Sequence, residues 1–268
     1  MTALTAVTAQ NTVAVEDVHA IPPEMIVAQV RAVVSDIGVD AVKIGMVGGR
    51  HEIEAVAAAL DLLPDATPVV LDPVMVAESG APLLDPEARE ALVGLLVPRA
   101  TVVTPNLPEA RALVEAPGHL AVGNPPAEAG ADRADPGAGH EAELVRVLAR
   151  RILDLGPSAV VLTGGHRRAA TDVFCDRSRS VEISGRRHPD GAAHGSGCTH
   201  SSALAARLAW GDELLTAARA AKALASLAVA RGLRELGAGA GPVDALGIAD
   251  GPIVSLADVD AGPAPTPL

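Results

Sequence analysis

The feature that most constrains the fold is the alternation of short β-branched runs with longer helical patterns. Five runs have the composition and length of buried strands: residues 2–9, 39–46, 68–75, 100–105 and 158–163. They end in or before residues such as Gly, Asp, Pro and Asn, which interrupt strands, and apolar residues at helical spacing fill most of the intervals between them. Strand–helix–strand recurrence implies right-handed crossovers and a mostly parallel sheet with helices on both faces. The chain is therefore predicted to have an α/β fold.

The helical patterns and one exceptional segment complete the prediction. Pro22 and Pro23 open the first helix, and Ala-rich helices near the end of the chain form a C-terminal layer. The remaining helices are predicted at residues 51–60, 87–96, 141–155, 197–209 and 212–233. Residues 170–187 instead contain two short alternating segments joined by the polar turn 177–179. This pattern predicts a hairpin at a sheet edge.

The domain organisation follows from length and composition. Residues 1–250 are predicted to form one domain, whose core is aliphatic because the chain has a single Phe and a single Trp. Residues 116–140 are dense in Pro, Gly and Ala and have no apolar period, so burial cannot offset their ordering entropy. We expect a flexible surface insertion there, and a Pro-rich tail over residues 251–268.

Charge and cysteine usage exclude several classes of partner. A formal net charge of -12 argues against nucleic-acid and anionic-membrane binding. Charged residues interrupt every apolar stretch before the roughly 18 residues that a membrane span requires. Cys175 and Cys198 are too few for a disulfide framework and fit a reducing cytosol. The chain is predicted to be cytoplasmic. Lys43 and Lys222 are its only lysines, so either is a candidate for a special role, although a solvated surface lysine is the simpler account.

The residues that leave the predicted strands are the first candidates for a ligand site. Ligands of open parallel sheets gather at the carboxyl ends of the strands. Polar or small residues stand at all five ends: Gln10, Gly45 with Met46, Asp72 to Val74, Asn106 with Glu109, and Thr163 to His166. We expect the chemistry to lie at this edge of the sheet.

The sharpest single motif is the run HGSGCT at residues 194–199, directly before a helix. Backbone amides of Gly195, Ser196 and Gly197 can converge on an anion there, with the helix dipole adding positive potential. A thiol at a helix start is expected to have a lowered pKa, so Cys198 is predicted to be a general base or nucleophile. Taken alone, such a loop is equally well explained as a tight turn.

Asn106 and Glu109 also have two explanations. An amide and a carboxylate at a helix start can hold hydrated Mg²⁺ beside nucleotide phosphates. The same spacing is typical of a capping box, which in isolation is the simpler account.

Six segments together carry a resemblance to a known family. The runs TALTAVTAQNT, VKIGMV, VVLDPVMVAESGAPLL, TPNLPEA, VVLTGGH and HGSGCTHSSALAA occur in the order found in hydroxymethylpyrimidine and phosphomethylpyrimidine kinases. The resemblance covers most of residues 1–250. It implies a three-layer α/β/α ribokinase-like fold, usually dimeric. It also implies transfer of the ATP γ-phosphoryl group to 4-amino-5-hydroxymethyl-2-methylpyrimidine and then to its monophosphate, in thiamine biosynthesis.

The resemblance also implies roles for individual residues. Cys198 takes the place of the catalytic base, and the glycine loop forms the anion hole. Phosphoryl transfer depends mainly on positioning and charge stabilisation, so a weak base suffices. The remaining roles are pyrimidine binding for Gln10, Met46 and Val74, binding of ATP for Asp72, Thr163, Gly164 and Lys222, and organisation of Mg²⁺ for Asn106 and Glu109. A surface role for Lys222 stays open.

The chain departs from the family pattern in two places. Family members begin with a further strand and a Gly-Gly-Ala-Gly turn, so this chain resembles a family member shortened at its N-terminus. Either Met1 is an internal methionine taken as the start or the protein is shortened and inactive or repurposed. The retained thiol, anion loop and Asn–Glu pair favour the first explanation. Thr163 stands where the family often has a lysine, which removes a positive charge near the phosphates.

Two further functions compete with this prediction. Pyridoxal and pyridoxine kinases share the fold and, in some relatives, the same Gly-x-Gly-Cys loop, but Gln10 and Met46 favour an aminopyrimidine. A non-catalytic nucleotide- or pyrimidine-binding protein is the second alternative, supported only by the shortened N-terminus.

Overall fold

The computed structural model describes residues 1–75, 84–115, 138–165, 170–189 and 191–248. The strands within them are β1 (Ala6–Gln10), β2 (Val15–Ala20), β3 (Val42–Ile44), β4 (Val69–Leu71), β5 (Val102–Val103), β6 (Ala159–Leu162), β7 (Asp172–Asp176) and β8 (Ser180–Ile183). The α-helices are α1 (Pro23–Asp36), α2 (Arg50–Leu60), α3 (Pro86–Ala91), α4 (Leu107–Val114), α5 (Ala138–Asp154), α6 (Ser196–Ala209) and α7 (Leu214–Ala230). Among the described helices, none has the length and apolarity that crossing a membrane demands.

Strands β3 to β8 form one mixed sheet in sequential order. The first four run parallel, with Val70 of β4 opposite Val102 of β5, and Val102 opposite Ala159 of β6. Strands β7 and β8 form an antiparallel hairpin next to β6. The α/β architecture and the edge hairpin predicted from the sequence are therefore confirmed.

Helices cover both faces of this sheet, because alternate residues of each strand point to opposite sides. One face of the sheet, with Leu71, Val103 and Leu162, belongs to a core shared with α1 to α5. The other face, with Val70, Val161 and the fully buried Phe174, packs against α6 and α7. Burial on both faces explains why the central strands contain almost only aliphatic side chains.

The N-terminal segment differs from the prediction. Residues 2–9 were expected to form a buried strand of the parallel sheet, but β1 pairs antiparallel with β2 in a separate two-stranded sheet. Three of its five residues are exposed, and Val7 is 51% exposed. Strand β2 was not predicted, because the sequence VEDVHA has few apolar residues to mark a core face. The prediction failed because apolar content was taken as evidence of burial.

Three other boundaries also differ. The helix expected over 87–96 is α-helical only to Ala91 and continues as a π-helical turn over Leu92–Leu96, just before Pro98. Strand β5 is only two residues long. Helix α5 begins at Ala138, so the last three residues of the expected insertion are helical. The rest of that insertion, the tail and His166 lie outside the described residues.

Candidate active site

The loop before α6 has the geometry of an anion-binding turn. Gly195 has φ of 85°, a left-handed conformation that favours glycine. Ser196 N–H donates to the Ala193 carbonyl at 3.0 Å. Gly197 and Cys198 occupy the next positions of the first helical turn, where amide groups have no carbonyl of the same helix to bind. The amides of these two residues are therefore the ones that the helix start offers to an anion.

A second segment of the chain holds this loop in place. His194 N–H donates to the Gly241 carbonyl at 3.2 Å, and Val243 N–H donates to the His194 carbonyl at 3.0 Å. The His194 ring reaches the side chain of Gln10, with 3.2 Å between the two Nε2 atoms. Gln10, predicted to bind the pyrimidine, is thus placed beside the anion loop.

The other predicted pyrimidine contacts lie at the ends of β3 and β4. The Met46 carbonyl accepts a hydrogen bond from Thr5 Oγ1 at 2.9 Å. Thr5 and Gln10 are separated by the length of β1, roughly 16 Å at the usual rise per residue. Gln10 and the Met46 backbone are therefore well separated. Met46 lines a largely aliphatic cavity of about 380 Å³ beside β3, whereas Val74 is half-buried just beyond Asp72.

Asp72 connects β4 to α6. Its side chain is buried, and its Oδ2 accepts a hydrogen bond from Ser201 Oγ at 2.9 Å. The ammonium group of Lys43, at the middle of β3, lies 3.5 Å from the same oxygen. Sequence reasoning assigned no role to Ser201 and noted Lys43 only as one of two lysines. Both residues belong to the site.

The predicted lowering of the Cys198 pKa is wrong. Cys198 is exposed on one side, but protein surrounds the thiol elsewhere, and this desolvation raises its pKa. The Lys43 ammonium, which hydrogen-bonds the thiol, opposes the effect, whereas the negative charges of Asp72 and Glu109 add to it. The helix start alone does not therefore produce a thiolate, and Lys43 is the group that favours one.

Asn106 and Glu109 form the capping box of α4. Asn106 Oδ1 accepts from Glu109 N–H, and Glu109 Oε2 accepts from Asn106 N–H, both at 2.9 Å. Burial raises the pKa of Glu109 to about 7, against the lowering effect of the Asn106 hydrogen bond and with a further increase from the Asp72 charge. The capping box predicted as one of the two explanations is therefore present. With a pKa of about 7, the carboxyl group of Glu109 can also gain or lose a proton near neutral pH.

The remaining predicted residues lie at the end of β6. Thr163 N–H donates to the Pro105 carbonyl at 2.9 Å, which ties this strand end to the start of α4. Gly164 N–H donates to Asp172 Oδ1 at 2.7 Å, and the Lys222 ammonium lies 2.6 Å from the same oxygen. Lys222 is therefore part of an ion pair at this end of the sheet and not a solvated surface lysine.

Comparison with known proteins identifies the family. The family model for phosphomethylpyrimidine kinase matches residues 1–125 and 135–244. The hydroxymethylpyrimidine/phosphomethylpyrimidine kinase of Rhizobium meliloti is 43% identical over 243 residues, which are 90% of this chain and 83% of that protein. The chain belongs to the phosphomethylpyrimidine kinase family. The family prediction and the assignment of the protein as a phosphotransferase are thereby confirmed.

A further relative and two solved structures are also similar to this kinase. The thiamine biosynthesis bifunctional protein ThiED of Geobacter sulfurreducens is 40% identical over 90% of the kinase, which spans 45% of that longer protein. Phosphomethylpyrimidine kinase of Clostridium difficile has a TM-score of 0.65 at 32% identity, covering 83% of each chain. Pyridoxal kinase of Staphylococcus aureus in complex with AMP-PCP has a TM-score of 0.73 at 30% identity, covering 91% of the kinase and 82% of that chain. These solved structures confirm the ribokinase-like fold and support the use of ATP by the kinase.

The kinase has a donor set that suits a nucleotide-borne Mg²⁺ ion. Among the described residues, no group of three His, Cys, Asp or Glu side chains is arranged to hold a metal by itself. Mg²⁺ usually keeps waters and phosphate oxygens and takes only one or two carboxylates from the protein. Asp72 and Glu109 supply two buried carboxylates, and the Asp72 charge raises the Glu109 pKa. A divalent cation between them would relieve that repulsion.

Proposed function

We propose that this kinase transfers the γ-phosphoryl group of ATP to the hydroxymethyl group of 4-amino-5-hydroxymethyl-2-methylpyrimidine and then to the resulting monophosphate, in thiamine biosynthesis. One observation supports the proposal above the others. The ammonium of Lys43 and the carboxylates of Asp72 and Glu109 are close enough to the Cys198 thiol to influence its pKa, beside the helix start proposed to bind an anion. These are the charges that phosphoryl transfer requires.

The chemistry follows from the positions of these groups. The substrate hydroxyl oxygen forms a bond to the γ-phosphorus as the bond to the leaving ADP oxygen breaks. The hydroxyl proton passes to the Cys198 thiolate, which the neighbouring Lys43 ammonium stabilises. The Gly197 and Cys198 amides then compensate the charge on the equatorial oxygens of the moving phosphoryl group. A base with a raised pKa is adequate, because little proton transfer is needed at the transition state.

The other proposed contacts are made to one of the two substrates, the pyrimidine or ATP with its Mg²⁺. Gln10, Met46 and Val74 would bind the pyrimidine, and Thr163, Gly164 and Lys222 the phosphates of ATP. Asp72, with Asn106 and Glu109, would hold Mg²⁺, whose charge offsets that of the phosphates when it is bound. We further propose that the kinase is a homodimer, which the family resemblance supports. We also propose that it is cytoplasmic, which is consistent with its two free cysteines.

Product analysis of the purified protein tests the function. The protein is incubated with ATP, Mg²⁺ and either the hydroxymethylpyrimidine or pyridoxal, and products are identified by mass spectrometry. We expect the pyrimidine monophosphate and then the diphosphate, with a higher kcat/KM than for pyridoxal. A preference for pyridoxal would support the vitamin B6 alternative, and nucleotide binding without turnover would support a binding protein.

Cys198→Ala tests the proposed base. Removing a general base is expected to lower kcat by about 100-fold or more. Cys175→Ala is the matched control, because this second cysteine is buried in β7 and belongs to the core on the face of the sheet opposite to α6. Equal turnover by the Cys198 variant and the wild type would show that the thiol is not the base.

A further inference from the structure

Asp172, at the start of β7, is the most deeply buried charged side chain next to the proposed site. Only 1% of it is exposed. Its Oδ1 accepts a hydrogen bond from Gly164 N–H at 2.7 Å and one from the Lys222 ammonium at 2.6 Å. One carboxylate oxygen therefore fixes both a backbone amide and a side-chain cation at the end of β6.

Gly185 leaves the space that the Lys222 side chain occupies. A Cβ at Gly185 would collide with Cε of Lys222 and with the Ala170 carbonyl oxygen. Gly164 is also confined, since a Cβ there would collide with the backbone of Thr171, next to Asp172. The lysine stem thus runs in a channel beside Gly185 that a side chain there would block, and the Lys222 side chain is 14% exposed.

Asp172 is ionised in this environment. Burial alone would raise its pKa, but contacts with His200 of α6 and with Lys222 outweigh burial and hold the pKa below its ordinary value. His200 approaches the other carboxylate oxygen, with 3.4 Å between its Nε2 and Asp172 Oδ2. A buried, charged carboxylate anchors an ammonium group strongly because removing either partner leaves the other uncompensated.

Lys222 also lines a cavity of about 440 Å³. Two further cationic residues, Arg186 and Arg219, and one acidic residue, Glu182, line the same cavity, so its formal charge is positive. An ammonium group has three N–H donors, and Asp172 uses one of them. The others remain available to phosphate oxygens in the cavity.

We propose that Asp172 is a positioning residue for phosphoryl transfer, which holds the Lys222 ammonium and the Gly164 amide against the phosphates of the bound nucleotide. The inference rests on the proposed function. Asp172 itself does not touch the nucleotide. Its effect on turnover passes through Lys222, with Gly185 leaving the space that this lysine occupies.

The first experiment compares Asp172→Asn, Lys222→Met and the double variant. Loss of a charge-assisted hydrogen bond to phosphate is expected to lower kcat/KM for ATP by about 10- to 100-fold in each single variant. The double variant should be no worse than Lys222→Met, since both changes remove the same contact. Asp61→Asn is the control, because Asp61 is likewise paired with a cationic side chain, that of Arg99, but lies at the C-terminal end of α2. Additive losses would overturn the proposal.

Gly185→Ala provides a second test that alters no charge. The added methyl group should displace Lys222 and lower kcat/KM for ATP in the same range as Lys222→Met, with the effect mainly in the KM for ATP. Gly94→Ala is its control, because nothing lies within 4 Å of a Cβ at Gly94. Wild-type kinetics in the Gly185 variant would contradict the proposed channel.

Lysine side-chain NMR gives a readout independent of turnover. With ¹³C-labelled lysine the spectrum contains only the Lys43 and Lys222 side chains. In Asp172→Asn and Gly185→Ala the Lys222 Cε signal should shift while that of Lys43 stays, which also reports that the variants are folded. An unchanged Lys222 signal would overturn the proposal. Failure of the wild type to phosphorylate any substrate would refute the proposed function alone, because the Lys222 signal and calorimetric AMP-PCP binding still report on positioning.

Discussion

Glu109 is a buried carboxyl group that serves as a helix cap and also lies next to a second carboxylate. Only 8% of the residue is exposed, and burial raises its pKa from 4.5 to about 7. Glu109→Gln replaces it with a neutral side chain of the same shape that can still accept the hydrogen bond from Asn106 N–H. The substitution therefore separates the charge of Glu109 from its role in the capping box.

The sign and size of the effect follow from proton linkage. Because the folded-state pKa is the higher one, the folded protein binds the proton more tightly, and the associated stability is complete below pH 4.5 and is lost as the pH rises through about 7. At about 1.4 kcal/mol per pKa unit the total loss is about 3 kcal/mol. About 2.5 kcal/mol of it falls between pH 5 and pH 8.5.

Urea unfolding of the two proteins at about pH 5 and about pH 8.5 measures this difference. The buffers contain a chelator, so that no divalent cation compensates the carboxylates. The free energy of unfolding of the wild type should fall between these pH values by about 2.5 kcal/mol more than that of Glu109→Gln. Parallel pH dependences in the two proteins would refute the argument that burial governs the proton affinity of Glu109.

The remaining predictions concern the lysine beside the thiol and the core beneath the site. Lys43→Met should lower kcat and move the rising, acid-side limb of its pH profile to higher pH, because the Cys198 pKa loses the influence that lowers it; Lys43→Arg should keep much of the wild-type profile, and unchanged profiles in both would show that the pair is not functional. Phe174→Ala removes a fully buried ring and should lower the free energy of unfolding by about 3–5 kcal/mol in denaturation followed by circular dichroism. Trp210→Ala, at a side chain 77% exposed, should change it by less than about 1 kcal/mol, and equal effects of the two substitutions would contradict the assigned core.

The part of the site that the sequence predicts is the part encoded locally. The HGSGCT run, the Asn106–Glu109 spacing and the ends of the strands follow from turn chemistry and periodicity within a few residues. The structure finds them at the expected end of the sheet or at a helix start, except for Gln10, which ends β1 of the separate two-stranded sheet. Local patterns were sufficient there because the backbone and one or two neighbouring side chains determine the geometry.

The residues that sequence reasoning missed are held by contacts between distant parts of the chain. Ser201 binds Asp72, 129 residues away, and Asp172 binds Lys222, 50 residues away. No local period encodes such a pair. The scarcity of lysine singled out Lys43 and Lys222 in the sequence without naming their partners. The same limit explains the wrong Cys198 pKa, because the dipole of α6 is local whereas the desolvation depends on how the surrounding elements pack.

Helix α6 links the two sets of long-range contacts through its own geometry. Successive helical residues point about 100° apart, so the neighbours His200 and Ser201 face different strands. Ser201 reaches Asp72 after β4, and His200 reaches Asp172 of β7, and each aspartate is paired with one of the only two lysines. Rotation of α6 would break both contacts at once. The amides at its start, which are proposed to bind an anion, are therefore held between two charged pairs, with Lys43 beside the proposed acceptor and base and Lys222 beside the proposed nucleotide.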